Sequence, residues 1–164
     1  MVVMLDIAAV DDFLAQRRIA VVGVSRRPSQ FATTIWRELR ARGYDAVPVG
    51  RGVHVIDGEP CFPTVTDVPD GADGVIVMVG PDAAADVVEE AAEAGIARVW
   101  LFKGAGGAGA CTPGAVAAAR SHGMRVVDGA CPMMFLDPVG SIHRVHRWVR
   151  RRRGALPRER SLPA

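Results

Sequence analysis

The sequence predicts an α/β protein in three layers, a parallel five-stranded sheet with helices on both faces, followed by a C-terminal amphipathic basic helix. Two observations carry this. Short apolar runs without polar alternation recur along the chain, as expected of strands buried on both faces. Helix-length amphipathic segments separate them, which implies right-handed crossovers between parallel strands.

The elements follow in order. "IAVVGV" (19–24) is the first continuous apolar run. The helix after it, "ATTIWRELRARG", places Ile35, Trp36 and Leu39 on one face and stops at Gly43. "YDAVPV" (44–49) is the second strand, with Pro48 near its end, where a missing ladder hydrogen bond costs least. The stretch "HVIDGEPCFPTVTDVPDGAD" is punctuated by Gly and Pro and reads as loop with short extended pieces. "GVIVMV" (74–79) is the third strand, and "PDAAADVVEEAAEAG" is a helix with Pro81 at its mouth and Gly95 at its close. "ARVWLF", "TPGAVAAARSHG" and "MRVVDG" supply strand four, a helix and strand five, completing a Rossmann-like alternation. After Gly129 comes an irregular apolar segment, "CPMMFLDPVG". "SIHRVHRWVRRRRG" then predicts an amphipathic helix, with Ile142, Val145 and Val149 opposite the arginines. Residues 1–154 are expected to form one domain with its core at 19–131, and 155–164 a disordered tail.

Composition narrows the function classes. Hydrophobic residues make up 49% and charged residues 23% of the 164, ordinary values for a globular protein. No apolar run approaches the roughly 18 residues that span a bilayer. Asp6, Asp11 and Asp12 interrupt the apolar N-terminus, which has no basic leader, so the expected location is cytoplasmic. Cys61, Cys111 and Cys131 are odd in number and widely spaced, which indicates neither a disulfide framework nor a zinc knuckle. Residues 144–164 hold eight arginines and one acid, a charge of +7, and the rest of the chain carries 12 basic and 17 acidic residues.

Open α/β sheets bind ligands beyond the carboxyl ends of their strands. Four glycine-containing turns fall there: 23–29, 50–52, 80–81 and 104–109. The first opens as a dinucleotide loop but reads G-x-S-x-x-P instead of G-x-G-x-x-G, with Ser25 and Pro28 at the second and third glycine positions. Strand two ends in Val49-Gly50-Arg51, without the acid that binds the ribose of NAD. Arg26, Arg27 and Arg51 instead favour a ligand carrying an extra phosphate near its adenosine, coenzyme A or NADP.

"VVGVSRRP", "LRARGYDAVPV", "IDGEPCFPTVTDVP", "ADGVIVMV", "GIARVWLFKGA" and "GMRVVDGAC" follow one another here. In that order they resemble the small bacterial CoA-binding proteins, a family similar to the N-terminal CoA-binding domain of the succinyl-CoA synthetase alpha subunit. The resemblance covers 19–131 and, more loosely, the segment and helix that follow. It implies a Rossmann-type CoA site in which Gly23, Ser25 and Arg26 hold phosphates. Val49 and the turn after it flank the adenosine, with Val79, Gly80 and Pro81 opposite. The expected contact set is Gly23, Val24, Ser25, Arg26 and Arg27; Pro48, Val49, Gly50 and Arg51; Val79, Gly80 and Pro81; and Lys103 and Gly104. This chain has "PVGR" where the family commonly has "PVNP", so Arg51 becomes a candidate for the 3′-phosphate.

The expected function is therefore binding of coenzyme A or a short acyl-CoA without catalysis, as a sensor, carrier or regulatory protein, monomeric or homodimeric. Two alternatives stand beside it: an NADP-dependent oxidoreductase, and a nucleic-acid-associated protein using the arginine-rich C-terminal helix. The second is opposed by the acidic body and by the lack of any nucleic-acid-binding motif. Cys131, His143 and His146 could be drawn together as a metal or nucleophilic cluster, but they have no evident carboxylate partner. A polar edge on an amphipathic helix explains the histidines as well, and no catalytic or metal residue is assigned.

Overall fold

In a computed structural model, residues 5–27, 30–104, 107 and 109–136 are described. The expected C-terminal basic helix lies outside them. The element order is α1 (Ile7–Leu14), β1 (Arg18–Val22), α2 (Phe31–Ala41), β2 (Asp45–Val49), β3 (Val55–Ile56), β4 (Glu59–Pro60), β5 (Gly74–Val77), α3 (Pro81–Glu93), β6 (Arg98–Phe102), α4 (Pro113–Ser121) and β7 (Arg125–Ala130). Short 3₁₀ turns occupy Val65–Asp67 and Pro132–Met134.

The five long strands form one parallel sheet in the order β2-β1-β5-β6-β7, as the apolar runs predicted. Successive side chains of a strand point to opposite faces, so each strand feeds two cores. Ile19, Val21, Ile76 and Trp100 pack with α1 and α2 on one face. Ala20, Val22, Val75, Val77, Val99 and Leu101 pack with α3 and α4 on the other. The largest buried side chains, Trp36 and Trp100, keep their indole N–H groups satisfied by donating to the carbonyls of Ala46 and Ala130, each at 2.9 Å.

Three features depart from expectation. The first strand ends at Val22, not at 24, because Gly23 adopts φ +108° and turns the chain out of the sheet. The N-terminal stretch, assigned no element from sequence, contains α1, whose first turn is capped by the Asp6 carboxylate accepting from the N–H groups of Ala8 and Ala9. Phe13 of α1 lies over Gly74 and meets Trp100 edge-on at 5.4 Å. Arg98 Nε donates to Asp12 at 2.7 Å, tying the helix to β6. Finally, the short extended pieces expected in the Gly/Pro-punctuated loop are present, and two of them pair as an antiparallel hairpin, β3–β4, whose Asp57-Gly58 corner has φ values of +49° and +81°. Two positive-φ residues of this type are the signature of a two-residue type I′ turn. Beyond the hairpin, Phe62 pairs in parallel with Val49 and extends the β2 edge.

Candidate functional site

Strand order reverses at β1/β5: the chain runs from β1 outward to β2, then crosses back to β5 and proceeds the other way. The crevice beyond such a switch point is where open α/β sheets take ligands. The turn after β1 and the turn after β5 (Val79, Gly80, Pro81) flank it, with the ends of β2 and β6 on either side. Topology thus brings all four sequence-predicted turns to one edge.

The turn after β1 is held by its own chain. The N–H groups of Gly23 and Val24 both donate to the Val49 carbonyl, at 3.0 and 3.1 Å. The Ser25 N–H donates to Thr33 Oγ1 at 3.2 Å, and the Thr33 hydroxyl returns a bond to the Ser25 carbonyl at 2.8 Å. The Arg27 N–H donates to Ser25 Oγ at 3.1 Å, and Gln30 Nε2 to the Gly23 carbonyl at 3.1 Å. Beyond those engaged donors, the turn offers an anion the Ser25 hydroxyl and the exposed guanidiniums of Arg26 and Arg27. Gly23 is required by packing, since a Cβ there would stand 2.4 Å from the Met78 carbonyl oxygen. Gly50 is required in the same way, because its Cβ would stand 2.0 Å from the Val24 carbonyl oxygen.

A cleft of about 280 Å³ opens between this turn, the start of α2 and the hairpin. Ser25, Arg26 and Arg27 line it, as does Thr33. Sequence reasoning missed its far wall: Arg37 from α2 and Val55, Ile56 and Asp57 from the hairpin. The one available signal was "IDGE", whose Asp-Gly marks a hairpin that would stand beside α2. Arg26 Nη2 donates to the Val55 carbonyl at 3.3 Å. Arg37 grips Asp57 with two bonds, Nε to Oδ2 at 2.6 Å and Nη2 to Oδ1 at 3.0 Å. That hydrogen-bonded guanidinium holds the Asp57 carboxyl below its ordinary value, against the opposing effect of desolvation.

The remaining predicted contacts lie on the same edge but outside this cleft. Val24, Pro48 and Val49 are buried, and the Gly50 N–H donates to the Phe62 carbonyl at 2.9 Å. Arg51 is largely exposed and lies 3.6 Å from Glu90 of α3. Gly80 and Pro81 are exposed at the mouth of α3, with Val79 half-buried before them. Lys103 and Gly104 are exposed past the end of β6. Burial pushes the Cys61 thiol up, and burial with the Asp128 carboxylate does the same for Cys111. Among the described residues, no group of three or more His, Cys, Asp and Glu side chains is placed to hold a metal. His143 and His146 lie outside those residues.

Comparison with solved structures agrees on the fold. A conserved hypothetical protein from Pyrococcus furiosus is 29% identical, with a TM-score of 0.63 over 70% of this chain and 95% of that one. A hypothetical protein from Pyrococcus horikoshii is 28% identical, with a TM-score of 0.68 over 79% and 88%. A dinucleotide-forming acetyl-coenzyme A synthetase from Ca. Korarchaeum cryptofilum, solved with phosphate and ADP, is 32% identical, with a TM-score of 0.57. It matches 66% of this chain, which spans only 24% of that larger protein. The CoA binding domain family matches residues 17–137, from just before β1 past the end of β7, and this chain belongs to it.

Proposed function

We propose that this protein binds coenzyme A or a short acyl-CoA across the carboxyl edge of its sheet, without chemistry of its own, as a cytoplasmic sensor, carrier or regulatory protein. The observation that carries the reading is the arginine-lined cleft at the turn after β1, in a chain of the CoA binding domain family. Pyrophosphate and a 3′-phosphate are multiply anionic, and guanidinium forks match phosphate oxygens in charge and geometry. Exposed Gly80 and Pro81 across the switch point, with half-buried Val79 before them and exposed Lys103 and Gly104 beyond, offer chain along which the rest of the ligand would run. Burial raises the Cys61 and Cys111 thiols above their ordinary value, which makes these two cysteines poor nucleophiles.

Calorimetric titration with CoA, acetyl-CoA, NADP and NAD tests the reading. CoA or acetyl-CoA is expected to bind tightest; tighter binding of NADP would overturn it in favour of a dinucleotide site. Mass spectrometry of ligand released from the purified protein gives an independent check on the nucleotide carried.

A further inference from the structure

The cleft is lined by three arginines and one carboxylate, Asp57, and its arginines come from different elements. Arg26 and Arg27 enter from the turn after β1, whereas Arg37 enters from the second turn of α2. Arg37 is also the most constrained, because Asp57 holds it through Nε and Nη2 and leaves Nη1 outside that pair. Asp57 itself is fixed at the corner of the hairpin, so this guanidinium is aimed before any ligand arrives. A terminal phosphate monoester is the group such a cation suits. It carries close to two charges and three acceptor oxygens, where a diester phosphorus carries one charge.

Arg51, the candidate for this role by its place after β2, is less suited to it. It does not line the cleft, its side chain is 80% exposed against 55% for Arg37, and its contact with Glu90 of α3, at 3.6 Å, is too long to orient it. We infer that Arg37, positioned by Asp57, is the residue that selects for a phosphate monoester on the bound nucleotide, and so distinguishes CoA from its 3′-dephospho form. This rests on the CoA-binding function proposed above and assigns a specificity determinant within it.

The test compares CoA with 3′-dephospho-CoA by calorimetry, using the full chain and the variants Arg37→Ala, Arg37→Lys and Arg40→Ala. Arg40 is the control: it lies one turn further along α2, pairs with Glu59 at 2.6 Å and does not line the cleft. Losing it removes the same charge and one similar link to the hairpin. The wild type is expected to prefer CoA by about ten- to a hundredfold, the range for a charge-assisted hydrogen bond. Arg37→Ala is expected to bring that preference close to one while leaving dephospho-CoA binding within about twofold, and Arg37→Lys to retain part of it. Arg40→Ala is expected to keep the wild-type preference. Equal wild-type affinities for the two ligands would overturn the inference and leave CoA binding standing, as would an equal loss of both ligands in Arg37→Ala. If the wild type bound neither ligand, the proposed function would fall and this assignment with it.

Discussion

A carbon added at Gly23 would meet the Met78 carbonyl at 2.4 Å, on backbone held at φ +108°. Gly23→Val therefore combines backbone strain of about 1–3 kcal/mol with overpacking of a similar size. Both are large against a typical total stability of about 5–15 kcal/mol. The variant is expected to lower the urea midpoint sharply or fail to fold, so it reports on the sheet edge before it reports on ligand. Gly80 offers the cleaner experiment, since its φ is −65° and an added Cβ meets no atom within 4 Å. Gly80→Ala is expected to cost under about 1 kcal/mol at this N-cap while weakening CoA severalfold. An unchanged titration would remove Gly80 from the site. Sequence showed that position 23 needs glycine, but not which neighbour demands it. The structure adds a demand of its own on this glycine, the close approach of the Met78 carbonyl just past β5. Thr33 was hidden for a related reason: a threonine in an amphipathic helix looks like surface, and only its bonds to Ser25 give it a place in the site.

Among the elements, the five sheet strands were legible because burial on both faces leaves an uninterrupted apolar run, and Val75, Ile76 and Val77 are completely buried. Their ends were less so, since Val24 is as apolar as Val22 and only the turn at Gly23 removes it from the ladder. The hairpin was read only as short extended pieces within a loop, because two-residue strands carry no periodicity, although its Asp-Gly corner was in view. Helix α1 is eight residues long and contains adjacent acids, too little pattern to separate it from an irregular terminus. One of those acids makes its docking sensitive to pH. The Arg98 guanidinium holds Asp12 below its ordinary carboxylate value, with Arg125 adding a weaker attraction. A carboxyl whose pKa is depressed on folding stabilises the native state above its unfolded pKa of about 3.9, and that stabilisation is lost as pH falls through the lower folded value. Asp12→Asn is expected to show a shallower acid-side decline in thermal midpoint than the wild type. Parallel declines would mean that the pair contributes nothing measurable, as many exposed ion pairs do.

For the molecule as a whole, ligand binding and stability are linked by mass action. A ligand that binds only the native state adds about 2.7 kcal/mol at a hundred times its Kd. For a chain of this size each kcal/mol moves the midpoint by about 2–4 °C, so saturating CoA is expected to raise it by about 5–10 °C. NAD at equal concentration is expected to give a much smaller shift; an equal one would place recognition in features the two nucleotides share. The edge where the four turns gather was legible from strand alternation and turn glycines, because topology alone delivers every β-to-α turn to one side. The cleft itself was not. Its walls come from residues 12 and 30 positions further along than Ser25, brought beside it by a helix and a hairpin whose relative placement no local pattern encodes.

The two indoles sealed against backbone carbonyls also give the protein an optical signature. Trp36 and Trp100 are both fully buried, so the folded chain should carry a blue-shifted emission component that moves red when the cores open. Their surroundings differ: Trp100 has Phe13 of α1 against its edge, whereas Trp36 lies under Arg40, whose guanidinium carbon is 5.2 Å from the ring centre. Release of α1 would therefore wet one chromophore and spare the other. On acidification the wild type is expected to show an emission change before far-ultraviolet dichroism collapses. Trp100→Phe is expected to lose that early step and keep the later one. A single coincident transition in both proteins would show that α1 opens only with the rest of the sandwich.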